Sequence, residues 1–141
     1  MSQNVSVVQS AQELATTKRD KAILKREGVA RFLMRKANVA RTESVTEFAK
    51  YVDAKGNSAS NAAKYNMGLN AKIQKLFGVS RDEMTDELML SVVAQIDQDI
   101  AIAHETGIKH GLLREQIRKN AHRLCELGYE NYEFKKKLLG V

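Results

Sequence analysis

The sequence predicts an all-α protein, a compact bundle of five or six helices. Three observations carry that expectation. Proline is absent from the 141 residues while Ala, Lys, Leu, Glu and Gln recur, so helix formers abound and the strongest helix breaker is missing. Apolar residues return at three- and four-residue intervals, the period of one helix face. The alternating β-branched runs expected of strands do not occur.

Residues 1–9 are polar and read as a flexible tail. Residues 10–141 then form a single helical domain, with a basic helical segment at 10–43 and a helical core at 44–141. A long first helix covers about residues 10–37, with Leu14, Ile23, Ala30, Leu33 and Ala37 on its apolar side. Gly28 lies inside it, where glycine costs about 1 kcal/mol relative to alanine, and kinks it or breaks it in two. Its other side is rich in Lys18, Lys21, Lys25, Arg31, Arg35 and Lys36. Ser44-Val45-Thr46-Glu47 has the spacing of a capping box and marks the start of a helix that buries Val45, Phe48, Ala49 and Val52 and stops at Gly56. A third runs over about residues 60–77 and ends at Gly78, a residue suited to a left-handed C′ position. Thr85 caps the strongest helix, residues 86–106, whose stripe is Leu88, Val92, Ala94, Ile96, Ile100 and Ala103; Gly107 ends it. The last long helix, residues 111–127, carries Leu113, Ile117, Leu124 and Leu127. Gly128 stops it, and a short amphipathic tail follows.

Two stretches have partial helix-turn-helix spacing. In residues 73–84, IQKLFGVSRDEM, Gly78 sits at the turn and Ser80 could cap a second helix entering a DNA groove. The residues facing that groove would be Arg81, Asp82, Glu83, Asp86 and Glu87. Four carboxylates against one guanidinium are repelled by a phosphate lattice, so this reads as an ordinary corner. The acids at the start of the next helix instead favour its macrodipole. The second stretch, residues 33–41, is basic, but Val45 falls one residue late for the closing hydrophobe.

The net charge of +6 is unevenly placed. Residues 1–60 hold 11 basic and 6 acidic side chains, residues 61–108 hold 4 and 7, and residues 109–141 hold 8 and 4. Basic ends around an acidic middle allow either a polyanion-binding surface or pairing between segments. Nothing points to catalysis. His122 and Cys125 share a helix face, yet no further ligands stand near enough for a zinc site, and Cys125 between apolar neighbours reads as a buried thiol. Asp97 and Asp99 point to different faces, so they form no dyad. No phosphate-binding glycine loop is present. The four tyrosines, Tyr51, Tyr65, Tyr129 and Tyr132, could stack on bases, though helical spacing favours packing. No cofactor, metal or catalytic residue is expected. One cysteine, no leader-like start and no apolar run near the roughly 20 residues of a membrane span suggest a cytoplasmic protein with no membrane partner.

From residue 44 to 126 the order of signals resembles a module of phage and prophage regulatory proteins, the Rha and KilA-N antirepressor-like group. There a short helix and a Tyr…Lys segment lead to a Lys-x-Leu-Phe-Gly corner. An Arg-Asp-x-Leu/Met-Thr/Ser element, a long helix ending in Gly and a basic helix follow. Here the corresponding stretches are TEFAKYVDAKG, SNAAKYNMGLNAKIQKLFG, VSRDEMTDELMLSVVAQIDQDIAIAHETG and HGLLREQIRKNAHRLCE. The basic helix departs from the pattern: it starts HGLLREQI in place of an aromatic followed by Lys-Glu-Ile. The resemblance implies a small phage- or prophage-type regulatory or accessory protein that acts by binding. Two readings follow. In the first it binds nucleic acid, DNA foremost, with Arg31, Arg35, Lys36 and Arg41 as anchors and Arg114, Arg118, Lys119 and Arg123 in support. In the second it is a host-takeover protein that inhibits or redirects a bacterial polymerase, nuclease or defence complex by protein–protein contact. A homodimer would suit either.

Overall fold

The computed structural model describes residues 2–58 and 61–141, with side-chain surroundings given from residue 8 onward. Among the described residues there are six α-helices and no strand. They are α1 (Ser2–Leu14), α2 (Lys18–Glu27), α3 (Val29–Lys50), α4 (Ala62–Phe77), α5 (Glu87–Lys109) and α6 (Arg114–Leu139). A 3-10 turn, Arg81–Glu83, lies between α4 and α5. The all-α bundle expected from composition and periodicity is what forms. None of these helices is long and apolar enough to cross a membrane.

The central element is α5, packed between α3 and α6, while α4 lies across α3 and α6. Its inward side carries Val93, Ile96, Ile100 and Ala101, all buried. Around it gather Met34, Val45, Leu69, Ile73, Met84 and Ala121. A second, smaller apolar cluster of Ala11, Ala15 and Phe32, flanked by Ile23 and Leu24, fastens α1 and α2 to the start of α3.

Several expected boundaries move, each for a physical reason. The long first helix breaks twice. Gly28 at φ 90° separates α2 from α3, a backbone region that favours glycine. Thr17 supplies the other break, its hydroxyl accepting from Asp20 N at 3.0 Å as the N-cap of α2. The segment taken for a tail at 1–9 is helical from Ser2, and Ala11 and Ala15 fix the end of that helix in the small cluster. Ser44 caps nothing. It lies inside α3, where no glycine interrupts residues 29–50, and its hydroxyl donates back to the Arg41 carbonyl at 2.7 Å. That helix ends at Lys50, well before Gly56.

At the corner, Gly78 adopts the left-handed conformation as expected, its amide donating to the Gln74 carbonyl at 2.8 Å. Asp86 rather than Thr85 caps α5, accepting from Leu88 N at 2.9 Å. The start of α6 is capped from a distance. Buried Asp53 accepts from Arg114 N at 2.8 Å while also holding the amides of Lys55 and Asn57. These amides, Arg114 N first, hold the Asp53 carboxyl below its ordinary pKa.

Gly107 and Gly128, expected to stop helices, do neither. Both sit inside their helices at crossings, where an added Cβ would fall on Ile117 and Ile96 respectively. Helices α5 and α6 can approach closely there because these residues lack a side chain. Gly68 in α4 has open space around it. Gly107→Ala and Gly128→Ala should therefore each lower stability by about 1–3 kcal/mol through overpacking. Gly68→Ala should raise it by about 0.5–1 kcal/mol. Urea unfolding of the three variants against the parent checks both signs.

Candidate nucleic-acid interface

The eight cations singled out in the sequence do not form one surface. Arg41 is fully buried and cannot reach a phosphate. Arg31 is half-buried and donates to the carbonyls of Arg81, at 3.1 Å, and Met84. Arg35 makes a two-point contact with Glu27 at 2.6 and 2.9 Å. Lys36 pairs with Asp20 at 2.8 Å. On α6, Arg114 lies over the Phe48 ring, 4.1 Å from its centroid, and donates to the carbonyls of Phe48 and, at 2.7 Å, Tyr51. Lys119 pairs with Glu115 at 3.1 Å, and Arg123 lies 3.4 Å from Glu130. Among the described residues only Arg118 of the eight has no such partner; it edges a cleft of about 250 Å³ shared with Phe48, Tyr65 and Glu115. As an anchor Arg41 is therefore corrected by its burial, while Arg31, Arg35 and Lys36 are occupied in contacts that tie α3 to the corner and to α2.

Arg41 belongs to a buried charge cluster that sequence reading did not assemble. Asp97 of α5 is fully buried and receives Arg81 through two hydrogen bonds of 2.6 Å. Arg41 Nη1 stands 3.2 Å from the same carboxylate, and Arg41 Nη2 donates to Asn70 Oδ1 at 2.7 Å. Asn70 also accepts from Arg81 Nε at 3.1 Å. The Nη1 approach is off the hydrogen-bonding direction, leaving Arg41 Nε and Nη1 without an aligned acceptor. Two guanidiniums on one carboxylate are held by charge more than by ideal geometry. Removing the carboxylate would strand both, a class of change that costs about 3–5 kcal/mol.

The same pairing exposes a different cationic face. Successive residues advance by about 100° around a helix. On α2 this places Asp20, Ile23, Leu24 and Glu27 on one arc and Lys18, Arg19, Lys21, Ala22, Lys25 and Arg26 on the other. The inward arc is where Asp20 holds Lys36 and Glu27 holds Arg35. Those contacts keep both carboxyls below their ordinary pKa, Lys36 acting first on Asp20 and Arg35 first on Glu27. The outward arc, about 160° wide, is exposed throughout. Among the described residues Lys18, Arg19, Lys21 and Lys25 have no carboxylate within ion-pair distance, and Arg26 only brushes Glu27 at 3.8 Å. Lys18, Lys21 and Lys25 were visible in the sequence as a polar side. Arg19 and Arg26 were missed, although their spacing puts them on the same arc.

Other polar constellations serve the core. His104 is fully buried between Ser44 and Tyr65, with Nδ1 2.9 Å from Ser44 Oγ and Nε2 2.8 Å from Tyr65 Oη. Ser44 donates to the Arg41 carbonyl, so it accepts from Nδ1–H, and the ring is neutral with Nε2 accepting from tyrosine. The remaining tyrosines are engaged in packing or hydrogen bonds: Tyr51 to the Leu112 carbonyl at 2.7 Å, Tyr132 to Asp86 at 3.0 Å, Tyr129 edge-on to Phe77. Cys125 is buried and donates to the Ala121 carbonyl at 3.6 Å. Burial pushes its thiol up to about 11, away from thiolate chemistry. Among the described residues no group of three or more His, Cys, Asp or Glu could hold a metal ion.

No family model, no curated relative and no solved structure matches this chain.

The buried imidazole makes stability depend on acid. Burial, reinforced by the positive charges of Arg41 and Arg114, lowers the His104 pKa from 6.5 to about 4. The unfolded chain takes up this proton at about pH 6.5 and the folded one only near 4. Stability from this group is thus fully present above pH 6.5 and falls as pH drops toward 4, by roughly 3 kcal/mol. Urea unfolding at intervals from pH 7 to pH 4 should show this slope, and His104→Gln should flatten it whatever its effect at neutral pH.

Proposed function

We propose that this protein is a small regulatory accessory protein of phage or prophage type that acts by binding nucleic acid, DNA foremost, through the outward arc of α2. One observation carries the reading. Five cations share an exposed arc on a helix whose two carboxylates are turned inward and occupied by α3. Uncompensated, closely spaced positive charge is what a phosphate backbone attracts. The resemblance of residues 44–126 to the Rha and KilA-N group supports the phage-type part. The arc offers no Asn, Gln, Ser or Thr and only Ala22 between its cations, so contacts go mainly to phosphates, with Arg19 and Arg26 the side chains suited to guanine edges. The face of α6 adds little, since Glu115, Glu126 and Glu130 accompany its cations.

A second reading is host takeover by contact with a bacterial protein complex. It is favoured by the intramolecular partners found for seven of the eight cations expected to bind DNA. A pull-down from bacterial lysate with and without nuclease separates the two. Partners lost on nuclease treatment support the first reading, and a nuclease-resistant protein partner supports the second.

For the first reading, each phosphate neutralised contributes about −0.9 to the slope of log K against log salt concentration. With all five cations engaged, affinity for duplex DNA should fall about 500-fold between 50 and 200 mM salt. Replacing Lys18, Lys21 and Lys25 together by Gln should weaken binding and flatten the slope by about 2.7, while Arg35→Gln changes it little. Fluorescence anisotropy with a labelled duplex measures both, and an unchanged slope in the triple variant contradicts the assignment.

A further inference from the structure

We propose that the outer face of α6 is a seam that takes a second copy of this chain, antiparallel to the first. The inner face of α6 packs Ala121, Cys125 and Tyr132 into the bundle. About 110° around the helix from that face runs a stripe of Leu127, Asn131, Phe134 and Leu138, spaced four, three and four residues apart. That is the heptad spacing of a helix–helix seam. It is unpartnered among the described residues, with Leu127, Phe134 and Leu138 respectively 43, 60 and 69 % exposed, and Val141 just beyond is 80 % exposed. Leu139, on another side of the same last turn, is 66 % exposed, so the end of α6 projects past its own bundle.

The stripe is complementary to itself when reversed. An antiparallel copy sets Leu127 against the partner copy's 138 position, Asn131 against its 134 position, and the projecting end against its 124 and 127 positions. Glu130 then flanks the seam beside the partner's residue 137, a lysine, and the pair repeats by symmetry. Glu130 is 61 % exposed, with Arg123 at 3.4 Å as its one ion-pair partner among the described residues, and Lys137 has none. A parallel copy would instead crowd two Lys135-Lys136-Lys137 triplets at one end. Asn131, the one polar position in the stripe, fixes register, the role a single buried asparagine plays in helical seams. A membrane surface fits less well, since Glu130 lies on the face that would meet anionic lipid.

The seam is short. Residues 127–141 span roughly 21 Å of helix, less than a standard stable interface requires, so a reversible dimer with a Kd of about 1–100 μM is expected. Sedimentation of the full chain from 1 to 300 μM should show the mass rising from one copy toward two. Phe134→Lys should weaken association at least 10-fold, with unchanged circular dichroism because the side chain is exposed. Glu130→Lys alone should weaken it, and adding Lys137→Glu should restore it. A monomer at every concentration overturns the proposal, as does association insensitive to Phe134→Lys. Rescue of Glu130→Lys by Lys135→Glu instead of Lys137→Glu overturns the antiparallel register. A persistent monomer that binds vesicles of anionic phospholipid through Phe134 assigns the face to lipid and overturns it too.

Discussion

One buried carboxylate organises this molecule. Asp97 lies at the centre of α5 and is approached by Arg81 from the α4–α5 corner and by Arg41 from α3, with Asn70 of α4 joining the two guanidiniums. Four elements thereby meet at a point where apolar packing alone would fix neither their order nor their register. A buried ion pair is a poor source of net stability, because desolvation offsets much of its attraction. Its structural consequence is stronger than its energy: α3 must present Arg41 inward, and the corner must turn Arg81 inward while Asp82 and Glu83 stay outside.

That inward turn decides which surfaces remain for binding. With Arg81 withdrawn, the corner shows solvent mainly carboxylates and is unsuited to a DNA groove. Arg31 closes the same corner by holding its carbonyls. Arg35 and Lys36 tie α2 down through Glu27 and Asp20, and these two contacts rotate the other charges of α2 outward. The cations of α3 thus create the cationic face of α2 without belonging to it. If two copies associate through α6, each particle carries two such faces, and paired weak contacts to one polyanion strengthen each other through effective concentration.

Much of the fold was legible because composition and a 3.6-residue period leave few alternatives to helices. The boundaries were less so. Gly78, Gly107 and Gly128 look alike in the sequence, yet one needs a left-handed backbone and two are needed for their missing side chain at a helix crossing. Local sequence does not distinguish these roles, which depend on what lies across the core. The buried cluster did leave a signal. Arg41 follows Met34 and Ala37 and precedes Phe48 on one helix face, and Asp97 sits among Val93, Ile96, Ile100 and Ala101. Charges of opposite sign at core positions of two helices imply each other. Counting basic residues by segment hid this, because a segment total ignores the direction in which each side chain points. The same angular bookkeeping would have separated the two arcs of α2.

The central claim is that burial and contacts within the fold occupy Arg31, Arg35, Lys36 and Arg41 of α3 and leave the cations of α2 to meet phosphate. Lysine acetylation footprinting by mass spectrometry, with and without duplex DNA, tests it most directly. In the free protein Lys18, Lys21 and Lys25 should react faster than Lys36, which Asp20 holds at 2.8 Å. Adding DNA should protect those three while leaving the exposed Lys64 and Lys75 of α4 reacting as before. Protection confined to Lys36, or no protection on α2 at DNA concentrations that saturate binding, would contradict the account.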